Sequence, residues 1–277
     1  MGAVVGALID GDDGLPAEEV GLWAKVKHDL LRRYLDISRA TRNKFLNGQS
    51  KSAAFIDLFC GPGRARVKET GEWIDGSAVA AWKISQHGGA PFSEIYIADL
   101  DIERRYATVE RLQRLNAPVR VLEGSAVEAA VQLPSVINHY GLHFAFLDPF
   151  SLGALDFRLF SSLSSLKRVD ILVHVSAMDL QRNLDANLGS VASNFDKFAP
   201  GWRSHVDSHR SQLEVRRQVF EYWRNLVADL GKRPSTQMKL ISGSINQPLY
   251  WLLLVAENDL AHKFWSAATD TGQGDLF

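Results

Sequence analysis

The stretch Phe55-Ile56-Asp57-Leu58-Phe59-Cys60-Gly61-Pro62-Gly63-Arg64 is an apolar run that ends in a glycine-rich turn. Gly61 and Gly63 let the backbone approach a ligand with no Cβ in the way, and both admit positive φ. Turns of this kind stand at the carboxyl edge of open α/β sheets, where ligands bind. The same residues also serve as a plain tight turn between a strand and a helix. A second apolar run, Ile95-Tyr96-Ile97-Ala98, is followed by Asp99-Leu100-Asp101. An acid there is placed to accept hydrogen bonds from a ribose diol. Asp99 follows the run directly, and an N-cap is the structural use open to either acid. A third run ends Phe146-Leu147-Asp148-Pro149-Phe150. Pro149 stops the strand and holds Asp148 extended, so a carboxylate beside an aromatic ring can hydrogen-bond an amine and stack a planar group.

These residues need a sheet to carry them. Strands are expected over Ala53–Phe59, Glu94–Ala98, Val119–Leu122, His143–Leu147 and Val169–Val175, separated by amphipathic helices, as in a parallel sheet with crossover helices. Two more follow near Met238–Ser242 and Leu249–Ala256, the second free of charge and so buried on both faces. Before the sheet, Trp23, Val26, Leu30, Tyr34 and Ile37 recur at helical spacing and predict one docked stripe. Ser77 is expected to cap the helix that runs to Gln86. On the helix after Asp101, the predicted buried stripe is Ile102, Tyr106, Val109 and Leu112, with Arg104, Arg105, Arg111 and Arg114 as a solvated face. Residues 177–235 break the alternation with helical periodicity around Leu180–Phe198 and His205–Leu230, a helical insertion. The loop Arg64–Asp75 is either a lid over substrate or plain surface.

The 277 residues carry 31 Lys+Arg against 32 Asp+Glu, and 46% are hydrophobic, which fits one α/β domain with an insertion. A single cysteine, Cys60, excludes an internal disulfide and a thiolate zinc cage, and makes a cytoplasmic location the default. The longest apolar run, Leu249 to Ala256, is far short of a membrane span. Residues 1–24 hold five acids and no base, while 25–51 hold eight bases and two acids. Residues 1–22 are accordingly expected to be a flexible acidic tail, 23–266 a single domain and 267–277 a C-terminal tail. The basic first helix and the region 200–240, with eight bases and four acids, make a patch for a polyanion. His205 and His209 have the i, i+4 spacing of a zinc pair but no third ligand, so no metal is expected.

The order of glycine turn, Asp99 and Asp148-Pro149-Phe150 resembles class I S-adenosylmethionine (SAM)-dependent methyltransferases. Trp23-Ala24, Lys27-His28, Leu30-Leu31 and Tyr34-Leu35, with Gly76-Ser77 and Pro248-Leu249-Tyr250-Trp251-Leu252, look more narrowly like the three-Cys-motif partner proteins. That resemblance implies a seven-stranded, mostly parallel Rossmann-like sheet with helices on both faces. It implies SAM along Asp57, Phe59, Gly61 and Gly63, with its ribose at Asp99 beside Leu100. Asp148, Pro149 and Phe150 match the Asp-Pro-Pro-Tyr type segment of amino methyltransferases, with the second proline missing and phenylalanine in place of tyrosine. Ser125 stands where relatives carry an acid at the adenine edge, and Lys27, His28, Arg64 and Arg182 are candidate substrate contacts. The implied function is methyl transfer to a nitrogen of a nucleobase or nucleic acid. The alternative is a non-catalytic partner of nucleic acid or of a three-Cys-motif, radical-SAM-like protein. A nicotinamide-dependent dehydrogenase shares the glycine turn and the ribose acid, but not the Asp-Pro-Phe segment. No cysteine follows a proline, so covalent attack for C5-pyrimidine methylation has no candidate nucleophile.

Overall fold

In the computed structural model, which describes residues 6–243 and 247–270, two short strands, β1 (Leu8–Asp10) and β2 (Pro16–Val20), precede helices α1 (Trp23–Ile37) and α2 (Arg39–Leu46). Strand β3 (Ala53–Asp57) enters the glycine turn, and β4 (Arg64–Val67) and β5 (Trp73–Asp75) leave it before α3 (Ser77–His87). The alternation continues through β6 (Glu94–Ile97), α4 (Ile102–Arg114), β7 (Val119–Val121), α5 (Ala126–Val136), β8 (Leu142–Leu147), α6 (Phe157–Ser164) and β9 (Val169–Ser176). Helices α7 (Ala177–Arg182), α8 (Leu184–Gly189), α9 (Asn194–Phe198) and α10 (Gln212–Asp229) then lead to β10 (Arg233–Ser242), β11 (Pro248–Ala256) and α11 (Asp259–Thr269).

Seven strands form one sheet in the order β10-β11-β9-β8-β3-β6-β7, with β11 alone reversed. This is the expected Rossmann-like sheet, and charge-free β11 lies between β9 and β10. Helices α1, α3 and α11 cover one face through Leu31, Leu35, Trp82 and Trp265. Helices α5, α6 and α10 cover the other through Leu133, Leu163 and Trp223. Each such side chain contributes about 1.5–3 kcal/mol by leaving water.

The structure corrects the expected ends. Residues 8–20 are not a flexible tail: β1 and β2 pair, and β2 runs parallel to β4 in a second sheet of order β1-β2-β4-β5. Residues 1–5 and 271–277 lie outside the described residues, and 267–269 belong to α11. The same sheet takes up the segment expected to be either a lid or plain surface, since 64–75 is a β4–β5 hairpin.

A second correction explains the first. On α4 the expected faces are partly exchanged: Arg104 and Arg111 are each 4% exposed and Ile102 and Tyr106 are 71% and 57% exposed, whereas Leu112 is buried and Arg114 exposed as expected. Arg111 pairs with Asp13 through two bonds of 2.7 and 2.8 Å, and Arg104 pairs with Glu18 at 2.6 Å. The acidic N-terminal segment and these two arginines neutralise one another. On α1, Val26 is 42% exposed while Lys27 and His28 are buried. In the insertion, the expected long helix over 180–198 is broken into α7, α8 and α9. His205 and His209 share no helix: His205 stacks on Tyr222, with ring centroids 4.4 Å apart.

Candidate functional site

Asp57 ends β3 and stands in register with Ile97 on β6 and Phe146 on β8. Asp99 and Asp148 each lie two residues beyond those partners, so the three acids converge at the carboxyl edge of three adjacent strands. Asp57 is fully buried; one oxygen accepts from the Phe59 amide at 3.2 Å and the other from the Ser77 hydroxyl. Ser77 is therefore not the cap of α3, a position that Gly76 holds. Burial pushes Asp57 up to about 7, with Asp148 and Asp99 adding to the rise against the two hydrogen bonds. Asp99 is likewise raised, first by burial, while accepting from the amides of Gly61 and Asp101 at 2.9 Å each. The N-cap of α4 is Asp101, which leaves Asp99 outside that structural role.

The glycine turn needs its glycines. Gly61 and Gly63 have φ of 57° and 80°, in the region that side chains resist. A Cβ on Gly63 would meet Thr108 Oγ1 at 2.7 Å, and one on Gly76 would meet the Gly63 Cα at 2.6 Å. The N-terminal strands reach this turn as well. Glu18 Oε1 lies 3.5 Å from where a Gly61 Cβ would stand, and Arg111 donates to the Pro62 carbonyl at 2.5 Å. Cys60 is buried beside the turn, and burial raises its thiol far from ionisation.

Asp148 follows the last residue of β8. The Lys27 ammonium donates to its Oδ2, and Nδ1 of His174 lies 2.8 Å from its Oδ1. Burial pushes this carboxyl up, but Lys27 and His174 outweigh it and hold Asp148 well below the usual carboxylate range. His174 is itself lowered, chiefly by burial, with Asp148 opposing and Lys27 assisting. Tyr250 of β11 packs on the imidazole, with ring centroids 3.8 Å apart, and its hydroxyl reaches the Trp23 carbonyl at 3.5 Å. Pro149 is buried and Phe150 is 57% exposed, so the ring following the carboxylate is available to stack.

The expected residues part into two groups. Asp57, Phe59, Gly61, Gly63, Asp99, Asp148 and Lys27 come together at the carboxyl edge, and Leu100 is 77% exposed beside Asp99. The other four candidates are placed differently. Ser125 caps α5 in a reciprocal box, its hydroxyl and amide both held by Glu128, so capping occupies the groups that were to meet adenine. Arg64 bridges Asp12 and Asp75. His28 is buried and driven to about 3, first by desolvation and then by Lys27, so it stays neutral. Arg182 is exposed in the last turn of α7. Lys27 meets Asp148 rather than solvent, a pairing whose only sequence signal is a lysine and a histidine on the buried side of a helix. His174 and Tyr250 were not among the expected site residues. A histidine inside an apolar strand, directly across from Asp148 in the β8–β9 register, was the available sign.

Among the described residues no cluster of three or more His, Cys, Asp or Glu could hold a metal, and no helix is long and apolar enough to cross a membrane. No family model and no curated protein matches the chain. Among solved structures, it is similar to a Legionella pneumophila protein of the family described as DUF519, with a TM-score of 0.53, 12% identity, and coverage of 86% of this chain and 85% of that one. An rRNA methylase from Streptococcus thermophilus aligns over 86% of this chain and 99% of its own, at 10% identity and a TM-score of 0.39. The sheet order and the likeness to the Legionella protein give the chain a Rossmann-like α/β fold, a seven-stranded, mostly parallel sheet flanked by helices.

Proposed function

We propose that this protein is a SAM-dependent methyltransferase acting on a nitrogen of a nucleobase or nucleic acid, of the three-Cys-motif partner type. The observation that carries the cofactor assignment is the meeting of Asp57, Asp99 and Asp148 at one edge, with Lys27 at the Asp148 end and Arg104 and Arg105 near Asp99. SAM brings two positive groups, an ammonium and a sulfonium, and a ribose diol. Three carboxylates around two positive-φ glycines suit that ligand, and they suit a nicotinamide dinucleotide pyrophosphate poorly. When bound, SAM supplies an electrophilic methyl group with a neutral thioether as leaving group. The chain's own residues then have to orient an acceptor and exclude water. Asp148, kept ionised by Lys27, accepts a hydrogen bond from the acceptor's N–H and turns its lone pair toward the methyl group. Phe150 stacks on a planar base.

Titration calorimetry with SAM and S-adenosylhomocysteine tests this, with NADH as the control ligand. Asp99→Ala is expected to weaken SAM binding by roughly 1–3 kcal/mol through loss of charge-assisted hydrogen bonds. Asp57 gives a second readout. A cation beside it favours its ionised form, so binding releases protons near pH 7, and affinity rises as the pH increases through about 7. SAM that does not bind to the folded protein would leave the partner-protein alternative, which the double engagement of Asp148 by Lys27 and His174 favours. On an acceptor found by screening RNAs and nucleosides, Asp148→Ala is expected to abolish transfer while weakening SAM binding less than Asp99→Ala does.

A further inference from the structure

We propose that His174 is the proton acceptor of the transfer reaction and that Asp148 fixes its tautomer, an inference that rests on methyl transfer taking place at this edge. The argument starts from the 2.8 Å contact between His174 Nδ1 and Asp148 Oδ1. A carboxylate held ionised by an adjacent ammonium only accepts, so the proton in that bond belongs to Nδ1. The lone pair of the imidazole is then on Nε2, at the far side of the ring from Asp148.

Asp148 cannot take this role itself. Its Oδ2 is engaged by Lys27, whose side chain is only 6% exposed, and protonating the carboxyl would leave that buried ammonium unpaired. Cys60 is sealed as a thiol, and Tyr250 is held protonated by burial with Asp148 adding to the effect. His28, the other histidine near Lys27, is buried on the α1 side, and the structure offers its Nδ1 no partner. Among the described residues, His174 alone joins a carboxylate to a basic nitrogen next to the Asp148-Pro149-Phe150 segment.

The charged and titratable groups around the ring are Lys27 from α1, Asp148 from the end of β8, Asp179 from α7 and Tyr250 from β11. Burial and Lys27 keep the imidazole unprotonated at neutral pH, the state an acceptor must be in before the reaction. The Tyr250 ring packs against the imidazole and limits its rotation. The step balances as follows. The acceptor nitrogen's lone pair forms the new C–N bond while the C–S bond breaks, and the sulfur keeps the bonding pair. The methylated nitrogen, now positive, gives its N–H proton to His174 Nε2 and keeps the N–H pair. The resulting imidazolium is stabilised by Asp148. A methylated exocyclic base nitrogen is a strong acid, so an imidazole of weakened basicity suffices.

Long-range proton–nitrogen correlation on uniformly nitrogen-15-labelled full-length protein reads the tautomer directly. His174 is assigned by its absence from the spectrum of His174→Asn. The expected result is a neutral ring with the proton on Nδ1 at about pH 7.5, changing to the Nε2–H form in Asp148→Asn. A wild-type ring carrying its proton on Nε2, or an imidazolium at that pH, overturns the proposal. Should Asp148→Asn fail to fold, the wild-type spectrum decides alone. SAM titration on the same samples separates the two levels. SAM bound with His174 in the Nε2–H form refutes the proton acceptor only, whereas SAM not bound by folded protein removes methyl transfer and this inference together. On a screened acceptor, His174→Asn is expected to lower kcat 10²–10⁴-fold with KM unchanged and the acid limb of the wild-type pH profile lost. Undiminished kcat would likewise overturn the role.

Discussion

Asp148, just past the end of β8, and Asp170, on the adjacent β9, face the same helix and each accept from it, yet their carboxyls are shifted in opposite directions. Their donors, Lys27 and Tyr34, are seven residues apart on α1, two helical turns, so the helix is fastened across the β8–β9 pair at both ends of the strands. At the carboxyl edge an ammonium and an imidazole hold Asp148 below the usual range. At the amino end, burial pushes Asp170 up to about 6 despite a 2.8 Å bond from the Tyr34 hydroxyl and the more distant Lys232. A neutral donor satisfies a buried carboxyl without offsetting the cost of its charge, and a cation does both. The site's permanent negative charge therefore depends on Lys27, and Asp170 serves docking.

The sharpest way to break this contrast is Lys27→Met. It leaves a largely buried carboxylate without its cation and is expected to cost about 3 kcal/mol or more at pH 7.5 in denaturant titrations. The sign follows from the shift. With Lys27 present, Asp148's folded pKa lies below its unfolded value of 3.8, so its stabilisation is present above about pH 4 and lost in stronger acid. With Lys27 gone, burial acts unopposed by it, and the variant is expected to lose stability as pH rises. Adding Asp148→Asn should restore most of the loss. A double variant as unstable as the single one would show that packing, not charge, sets the cost.

Asp170→Asn is expected to act in the other direction and less strongly. Because Asp170's folded pKa is raised, its contribution is present below about pH 4 and lost as pH rises through about 6. The amide keeps the acceptor for Tyr34, so the variant should match wild type near pH 4 and exceed it by on the order of 2 kcal/mol at pH 8. Melting curves that stay parallel to wild type across that range would remove the distinction between the two aspartates. Tyr34→Phe is expected to cost about 1 kcal/mol, the net worth of one hydrogen bond. The smallest effect is expected from Val26→Ser, within about 0.5 kcal/mol, since this half-exposed side chain lies off the docked face of α1.

Much of this was legible in the chain. Short apolar runs located the seven strands of the large sheet, because a strand buried on two faces leaves little room for charge. The glycine turn, Asp99 and Asp148 were found because acids at strand ends have no packing use. What stayed hidden depends on contacts between segments far apart in sequence. Arg104 and Arg111 read as solvated because their partners, Glu18 and Asp13, lie more than eighty residues earlier. Ser125 looked like a ligand residue until Glu128, one helical turn on, claimed both its donors. His174 was overlooked inside an apolar strand because its importance lies wholly in the strand beside it.

The parallel pairing of β2 with β4 has a kinetic consequence. It closes a ring from Val20 to Val67 through α1, α2, β3 and the glycine turn, and loop-closure entropy for a ring of that size must be met before its hydrogen bonds form. The glycine turn thus hangs between two sheets, tied to the large one by β3 and to the small one by β4. During synthesis β1 and β2 emerge before β4 and α4 and have nowhere to dock until these exist. They should be among the last segments to gain protection in hydrogen exchange, and only when they settle does the turn acquire its final shape.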